Sequence, residues 1–262
     1  MPDVSGLEVL LYDEPITTNT RLQGDKTIFA FNESYVEDTE KPILSLSFKD
    51  NLGELITDFR PYQSQVMPFF SNLLPEGELR AYLADRAGVK PQREFFLLWV
   101  LGQDLPGAIT IRPYEGEELP PDANDGDDEE TAMDKDSVLH FSLAGVQMKF
   151  SAIMNATGGL TIPAKGIGGS WIAKLPSTKF DAVPENEYAM MNLAQMIGMD
   201  VPETKLIPVT EISGLPSGIE DLKGSVLAVK RFDRTDDNER IHIEDFAQIF
   251  NLFPDDKYKK AS

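Results

Sequence analysis

Three residues could act on one ligand: Gly145 in FSLAGVQMKF, Lys174 in SWIAKLPS and Glu187 in ENEYAMMNLAQMIG. A glycine lets the backbone close over a ligand where a side chain would obstruct it. A lysine on a strand beneath such a turn supplies the positive charge that a polyphosphate needs. A glycine-containing lid above a lysine forms the two halves of a triphosphate clamp. A glutamate in the first turn of the next helix could hold that lysine. Each residue also has an ordinary reading. A glycine in a hairpin marks a turn, a strand lysine extends its stem to keep its charge in water, and a first-turn glutamate complements the helix dipole. Taken alone, the three residues leave both readings open.

The stretch from Ser137 to Ser177 must position them, and it reads as strand, glycine turn, strand, small-residue turn, strand. HFSLAG and VQMKFSAIM alternate apolar and polar residues as a half-buried hairpin does. SWIAKLPS sets Lys174 between Ile172 and Leu175. A helix is predicted from Pro184 to Gly198, with Asn186 as its cap and Tyr188, Met191, Leu193, Ala194 and Ile197 as its apolar face. Lys205–Val209 and Gly224–Val229 read as two more strands, and His242–Phe250 as the start of another helix. The pattern predicts a five-stranded sheet with one helix inserted after the third strand. That is the layout of a kinase small lobe, in which the lysine orients the α- and β-phosphates and the glutamate holds it.

Before this stretch, LEVLLY at 7–12, ILSLSF at 43–48 and TIFAFNESYV from Thr27 read as strands, with a further short one at 52–57. Helices are predicted over Gly77–Ala87, closed by Gly88, and over Gln92–Leu101, ending at Gly102. Ala108–Arg112 gives a last strand.

The chain has 262 residues, 41% of them hydrophobic and 26% charged, so it can bury a core. The formal net charge of −20 argues against non-specific nucleic-acid binding over the whole surface. Charge is unevenly spread: Glu115–Asp136 holds eleven acids against one lysine, which reads as a solvated linker. The absence of cysteine excludes disulfides, thiolate nucleophiles and cysteine zinc sites. Two histidines, His140 and His242, are too few for a histidine-rich metal centre. No apolar run approaches the ~20 residues that span a bilayer, and no export signal opens the chain, so the cytoplasm is the default expectation.

Several phrases in order resemble the HipA family of serine/threonine kinase toxins: PFFSNLLPEGELR, LGQDLPGAI, FSLAGVQMKF, WIAKLP, ENEYAMMNLAQMIG and VKRFDR. The resemblance covers most of residues 5–258. It implies an α+β architecture: a β-rich N-terminal domain at 1–113, an acidic linker at 114–136, and a kinase-like domain at 137–262 with the small lobe and the start of a helical large lobe. It implies ATP and Mg²⁺ as cofactors. The implied partners are a HipB-like helix-turn-helix antitoxin, DNA reached only through that antitoxin, and an aminoacyl-tRNA synthetase as protein substrate.

Residue by residue, Ala144, Gly145, Val146, Gln147, Met148 and Lys149 match the family's phosphate loop, Lys174 its ATP lysine and Glu187 its helix glutamate. Lys230, Arg231 and Phe232 match the hinge that meets adenine, although Lys230 stands where some relatives carry an acid. Ser142 matches the serine that such kinases autophosphorylate, which expels the loop; its ordinary reading is a strand hydroxyl. A phosphate there would add nearly two negative charges where ATP phosphates sit.

The family's catalytic aspartate, adjacent asparagine and magnesium-binding aspartate lie in a large lobe beyond what this chain matches. Asp233, Asp236, Asp237 and Asp245 read as solvated surface acids, so no catalytic or metal-ligating residue is assigned. The expectation is a truncated HipA-type kinase that does not transfer phosphate alone. Two alternatives remain: a non-catalytic remnant that binds antitoxin and alters operon autoregulation, and an acidic β-rich binding module with no nucleotide site.

Overall fold

The computed structural model describes residues 4–120, 143, 147–177, 179–215, 219 and 222–260. The predicted strand HFSLAG, with Ser142, Ala144, Gly145 and Val146, lies outside the described residues except for Leu143, as do residues 121–136 of the acidic linker.

The first sheet grows from a hairpin of β1 (Gly6–Leu11) and β2 (Glu14–Leu22). Tyr12 and Asp13 between them both have positive φ, 53° and 65°, as the tight two-residue turn that matches strand twist requires. β3 (Lys26–Phe31) pairs with β2, and a short α1 (Glu33–Glu37) follows it. β4 (Tyr62–Gln63) caps one edge, and three helices precede the last strand: α2 (Pro68–Ser71), α3 (Gly77–Arg86) and α4 (Glu94–Leu101). β5 (Ile109–Pro113) then completes the antiparallel order β4-β3-β2-β1-β5. Every residue of α4 is buried, as its unbroken apolar run predicts. Its one acid, Glu94, accepts hydrogen bonds from the Val66 N–H, the Ser71 hydroxyl and Arg80, so its burial leaves no carboxylate unpaired.

Two predicted strands in this region are corrected. Residues 43–48 hold a 3₁₀ turn, Leu46–Phe48, capped by the Ser45 hydroxyl. Phe48 is buried while Ile43 and Leu46 are exposed, so the alternation that imitated a strand follows a turn instead. Residues 52–57 contribute only the single bridge of Leu55 to Lys49.

The second sheet contains β6 (Lys149–Met154), β7 (Leu160–Thr161), β8 (Trp171–Lys174), β9 (Thr204–Pro208), β10 (Ile212–Ser213) and β11 (Ser225–Lys230). Its order is β10-β7-β6-β8-β11-β9, six strands rather than the predicted five. Helix α5 (Val183–Met196) is inserted after β8, as predicted, and packs against β9 and β11. Its cap is Ala182 in the left-handed conformation, with Pro184 in the first turn; Asn186 lies inside the helix. The expected apolar face is only partly covered, for Leu193 is 52% and Ile197 71% exposed. The predicted helix over His242–Phe250 is only the short α6 (Phe246–Ile249), begun by a capping box of Asp245 and Gln248. A final turn, α7 (Lys257–Lys260), ends the described chain.

The hydrophobic core is continuous from Val4, Leu7 and Trp99 in the first region to Phe150, Ala173 and Val226 in the second. The segment 231–253 lies across the first region. Asn72 donates to Leu252 O (2.7 Å), Gln248 to Phe69 O (3.1 Å), and the Nε2 of His242 meets Leu44 O (2.7 Å).

Candidate nucleotide site

β8 positions Lys174 by alternation: Ala173 and Leu175 are buried on one side of it and the lysine points the other way, half-buried. α5 brings Glu187 to it from its second turn, not the predicted first, because the helix begins earlier, at Val183; the Lys174 Nζ donates to Glu187 Oε1 in an ion pair. Both side chains are partly exposed, 21% for Lys174 and 31% for Glu187. The pair therefore keeps solvent on one side, where a ligand has access.

Lys149 on β6 is the register partner of Lys174 on β8. Burial first, and the neighbouring Lys174 charge second, push its pKa down to about 8, against the opposing pull of Glu76 and Glu187. Two lysines lie side by side on adjacent strands, and the charge of Lys174 lowers the affinity of Lys149 for a proton. The described end of the predicted phosphate loop is fixed beside them: Gln147 Nε2 donates to Leu175 O (3.1 Å) and the Leu175 N–H to Met148 O (3.0 Å). The structure thus brings Gln147, Met148, Lys149, Lys174 and Glu187 together.

At the other end of the same strands lies the predicted hinge. Lys230 pairs in register with Trp171, three residues along β8 from Lys174, which is about 10 Å at ~3.3 Å per strand residue. The Lys230 N–H donates to Glu203 O (2.8 Å) and the Arg231 N–H to Ser170 O (2.9 Å), so these amides are already engaged. The Lys230 ammonium pairs with exposed Asp236 at 2.6 Å. Phe232 is 67% exposed. A cavity of about 440 Å³ opens beside the segment, lined by Pro202, Glu203, Lys230, Phe232 and Asp236 among others.

Arg231 and Arg234 also line this opening, but the Arg231 side chain is buried. Its guanidinium donates to Asp233 (2.9 and 2.8 Å) and to Asp104 (3.2 Å). Arg234 donates to Asp104 (2.8 Å), to Asp233 (2.9 Å) and to Gly107 O (3.0 Å). The Gly107 N–H closes the ring by donating to Asp233 at 2.9 Å. Gly107 has φ +75°, and a Cβ there would lie 2.9 Å from the Ile243 amide nitrogen, so only glycine fits. Asp233 is therefore not a surface acid, as expected from sequence, but a buried one. Burial pushes its pKa up, and hydrogen bonds and charge from Arg231 and Arg234 more than reverse that, holding it below the usual carboxylate range. Asp245 is exposed, as expected, and is also the cap of α6. Sequence reasoning did not find the roles of Asp104, Gly107 and Arg234. Their one signal is that LGQDLPGAI and VKRFDR carry complementary charges.

Among the described residues no group of three His, Cys, Asp or Glu side chains could hold a metal ion. The donor set at Lys149 and Lys174 is cationic, which suits phosphate oxygens and not a metal.

Comparison with known proteins places these features in context. The family model of the HipA N-terminal domain matches residues 7–112, and that of the HipA-like C-terminal domain matches residues 141–262. The chain is 60% identical over 264 residues to the putative kinase Y4dM of Sinorhizobium fredii, covering 100% of this chain and 63% of that protein. The serine/threonine-protein kinase toxin HipA of Shewanella oneidensis is 26% identical over 257 residues, covering 91% of this chain and 54% of that protein. A solved complex of Shewanella oneidensis HipA, HipB and operator DNA shares the fold, with a TM-score of 0.61 at 24% identity over 96% of this chain and 57% of the matched one. The chain thus spans less than two thirds of the length of these relatives.

Proposed function

The chain belongs to the HipA family, and from that premise we propose that it forms the ATP-binding half of a serine/threonine protein kinase of the toxin–antitoxin type. The observation that carries this reading is the Lys174–Glu187 ion pair, formed between strand and helix beside a second lysine, Lys149. A lysine fixed by a helix glutamate can orient the α- and β-phosphates of ATP. Lys149 adds charge on the adjacent strand, and the phosphates are assigned to the segment from Ala144 to Met148 on the strength of its match to the family's phosphate loop. At the hinge the Lys230 and Arg231 amides are engaged within the protein, so the N–H of Phe232 is assigned to adenine. Ser142, just ahead of the loop, is the proposed autophosphorylation site.

Mg²⁺ accompanies ATP in this chemistry, but no described group of side chains fits it, and no step is assigned to it. The catalytic carboxylate is likewise assigned to the part of the family that this chain does not match. The proposed partners are a HipB-like helix-turn-helix antitoxin, with operator DNA contacted only through it, and an aminoacyl-tRNA synthetase as protein substrate. No described helix is long and apolar enough to cross a membrane.

Calorimetric titration of the chain with ATP tests this reading. Lys174→Ala is expected to weaken binding at least tenfold, by loss of a charge-assisted phosphate contact worth about 1.5–3 kcal/mol. An unchanged titration would remove Lys174 from any phosphate site. Absence of ATP binding in the parent chain, with antitoxin still captured, would favour the non-catalytic reading.

A further inference from the structure

Asp104 belongs to the first region of the chain, yet among the described residues its charged partners, Arg231 and Arg234, lie in the second. Its carboxylate is 1% exposed. Besides Arg231 and Arg234, it accepts from the Ser151 hydroxyl on β6 (3.4 Å) and from the Gly168 N–H in the loop before β8 (3.2 Å). The Ser151 hydroxyl in turn accepts from the Gly169 N–H at 3.1 Å. A Cβ at Gly169 would come within 2.4 Å of the Ala152 nitrogen, so this loop lies directly on β6.

One carboxylate therefore gathers β6, the loop leading into β8, and the segment leaving β11. These are the elements that carry Lys149, Lys174 and Phe232. The Ser151 contact lies two residues from the Lys149–Lys174 rung, about 7 Å at ~3.3 Å per residue, and the contacts of the loop and of Arg231 lie at the Trp171 end, about 10 Å from it. A group placed there sets the hinge relative to the lysines without touching the phosphates.

We infer that Asp104 is a positioning residue for the adenine end of the site, so that the N-terminal region sets how a nucleotide is held in the kinase-like region. The inference rests on the nucleotide reading above. Its chemistry separates two ligands: ATP engages both ends of the site, whereas inorganic tripolyphosphate engages only the lysine end.

The test titrates both ligands into the parent chain and into Asp104→Asn. The variant is expected to lose roughly fivefold to twentyfold in ATP affinity, within the range by which residues remote from a ligand couple to it. Tripolyphosphate affinity should stay within about twofold. Equal losses for both ligands would mean a merely structural role and would overturn the inference, as would an ATP affinity equal to the parent's. If the parent binds neither ligand, the nucleotide reading falls and this inference with it; if the parent binds both, the two can be judged apart. Should Asp104→Asn fail to fold, Ser151→Ala removes one contact of the same carboxylate. It should shift the ratio of ATP to tripolyphosphate affinity the same way, by roughly twofold to threefold. An unshifted ratio in that variant would also overturn the inference.

Discussion

Two clusters of charge lie at opposite ends of one sheet, and they are built for different work. At the hinge end, Asp104, Asp233, Arg231 and Arg234 are closed off from water with side-chain exposures of 1–7%, and their charges cancel. At the other end, Lys174 and Glu187 are partly exposed, and Lys149 stands in register beside them with a lowered pKa. The first cluster has nothing left to offer a ligand. The second is reachable and holds a lysine of lowered pKa, features that support the proposed binding site rather than a joint. Buried pairs are sensitive to the loss of one member, because the remaining charge is left without water or partner. Half-exposed pairs are not, because solvent replaces what is removed.

The largest effect should therefore come from breaking the closed cluster on one side only. Asp233→Ala leaves Arg231 and Arg234 facing a single carboxylate and frees the Gly107 N–H. It is expected to cost about 3–5 kcal/mol in denaturant unfolding. The same cluster predicts an acid dependence. Asp233 has a folded pKa below its unfolded value, so its stabilisation is fully present above the unfolded value and is lost as pH falls through the folded one. Unfolding free energy should decline below about pH 4. Asp233→Asn should flatten that decline, and an unaltered acid slope would show that Asp233 is not its source.

The two clusters also differ in how far the sequence shows them. Lys174 and Glu187 lie 13 positions apart, and each sits in an element whose pattern is local: a lysine among apolar strand residues, a glutamate in the first turns of a helix. Asp104 and Arg231 are separated by 127 positions. No periodicity reaches that far, and a lone aspartate in a loop looks like any solvated acid. The same limit explains β2. Its buried face includes Thr17 and Asn19, so the strand has no apolar run to announce it, and it exists because β1 and β3 pair on either side. The order of strands around α5 was legible because each strand there carries β-branched and apolar residues of its own. The hinge was legible as a segment but not in its orientation. Arg231 was expected at adenine, and only the fold shows its side chain turned into the joint.

A smaller effect should come from the lysine of lowered pKa at the open end. Lys149 has a folded pKa of about 8 against 10.5 when unfolded, so between these values the unfolded chain binds more protons. Stability should rise with pH from about 8, by up to roughly 3 kcal/mol across the window, until the buried tyrosines, whose pKa values are raised, oppose it near pH 10. Lys149→Met should abolish the rise. An anionic ligand would reverse the shift, because phosphate charge favours the protonated lysine. ATP binding at pH 8.5 should then take up protons, seen as a binding enthalpy that varies with the ionisation enthalpy of the buffer. A buffer-independent enthalpy at that pH would place the phosphates away from Lys149.

The smallest change in stability should come from the pair most important to the proposed chemistry. Glu187→Gln removes one member of a half-exposed ion pair, and solvent on its open side limits the cost to below about 1 kcal/mol. The ligand should respond more strongly than the fold. Without Glu187 the Lys174 ammonium is free to rotate, so an ATP phosphate must order it on binding, and affinity should fall severalfold while the melting temperature hardly moves. Tripolyphosphate should suffer the same loss as ATP, because both rely on the lysine end. This is the opposite of the selective loss expected at Asp104. If Glu187→Gln instead cost as much stability as Asp233→Ala, the open cluster would be a joint like the closed one, and the contrast that supports the proposed site would fail.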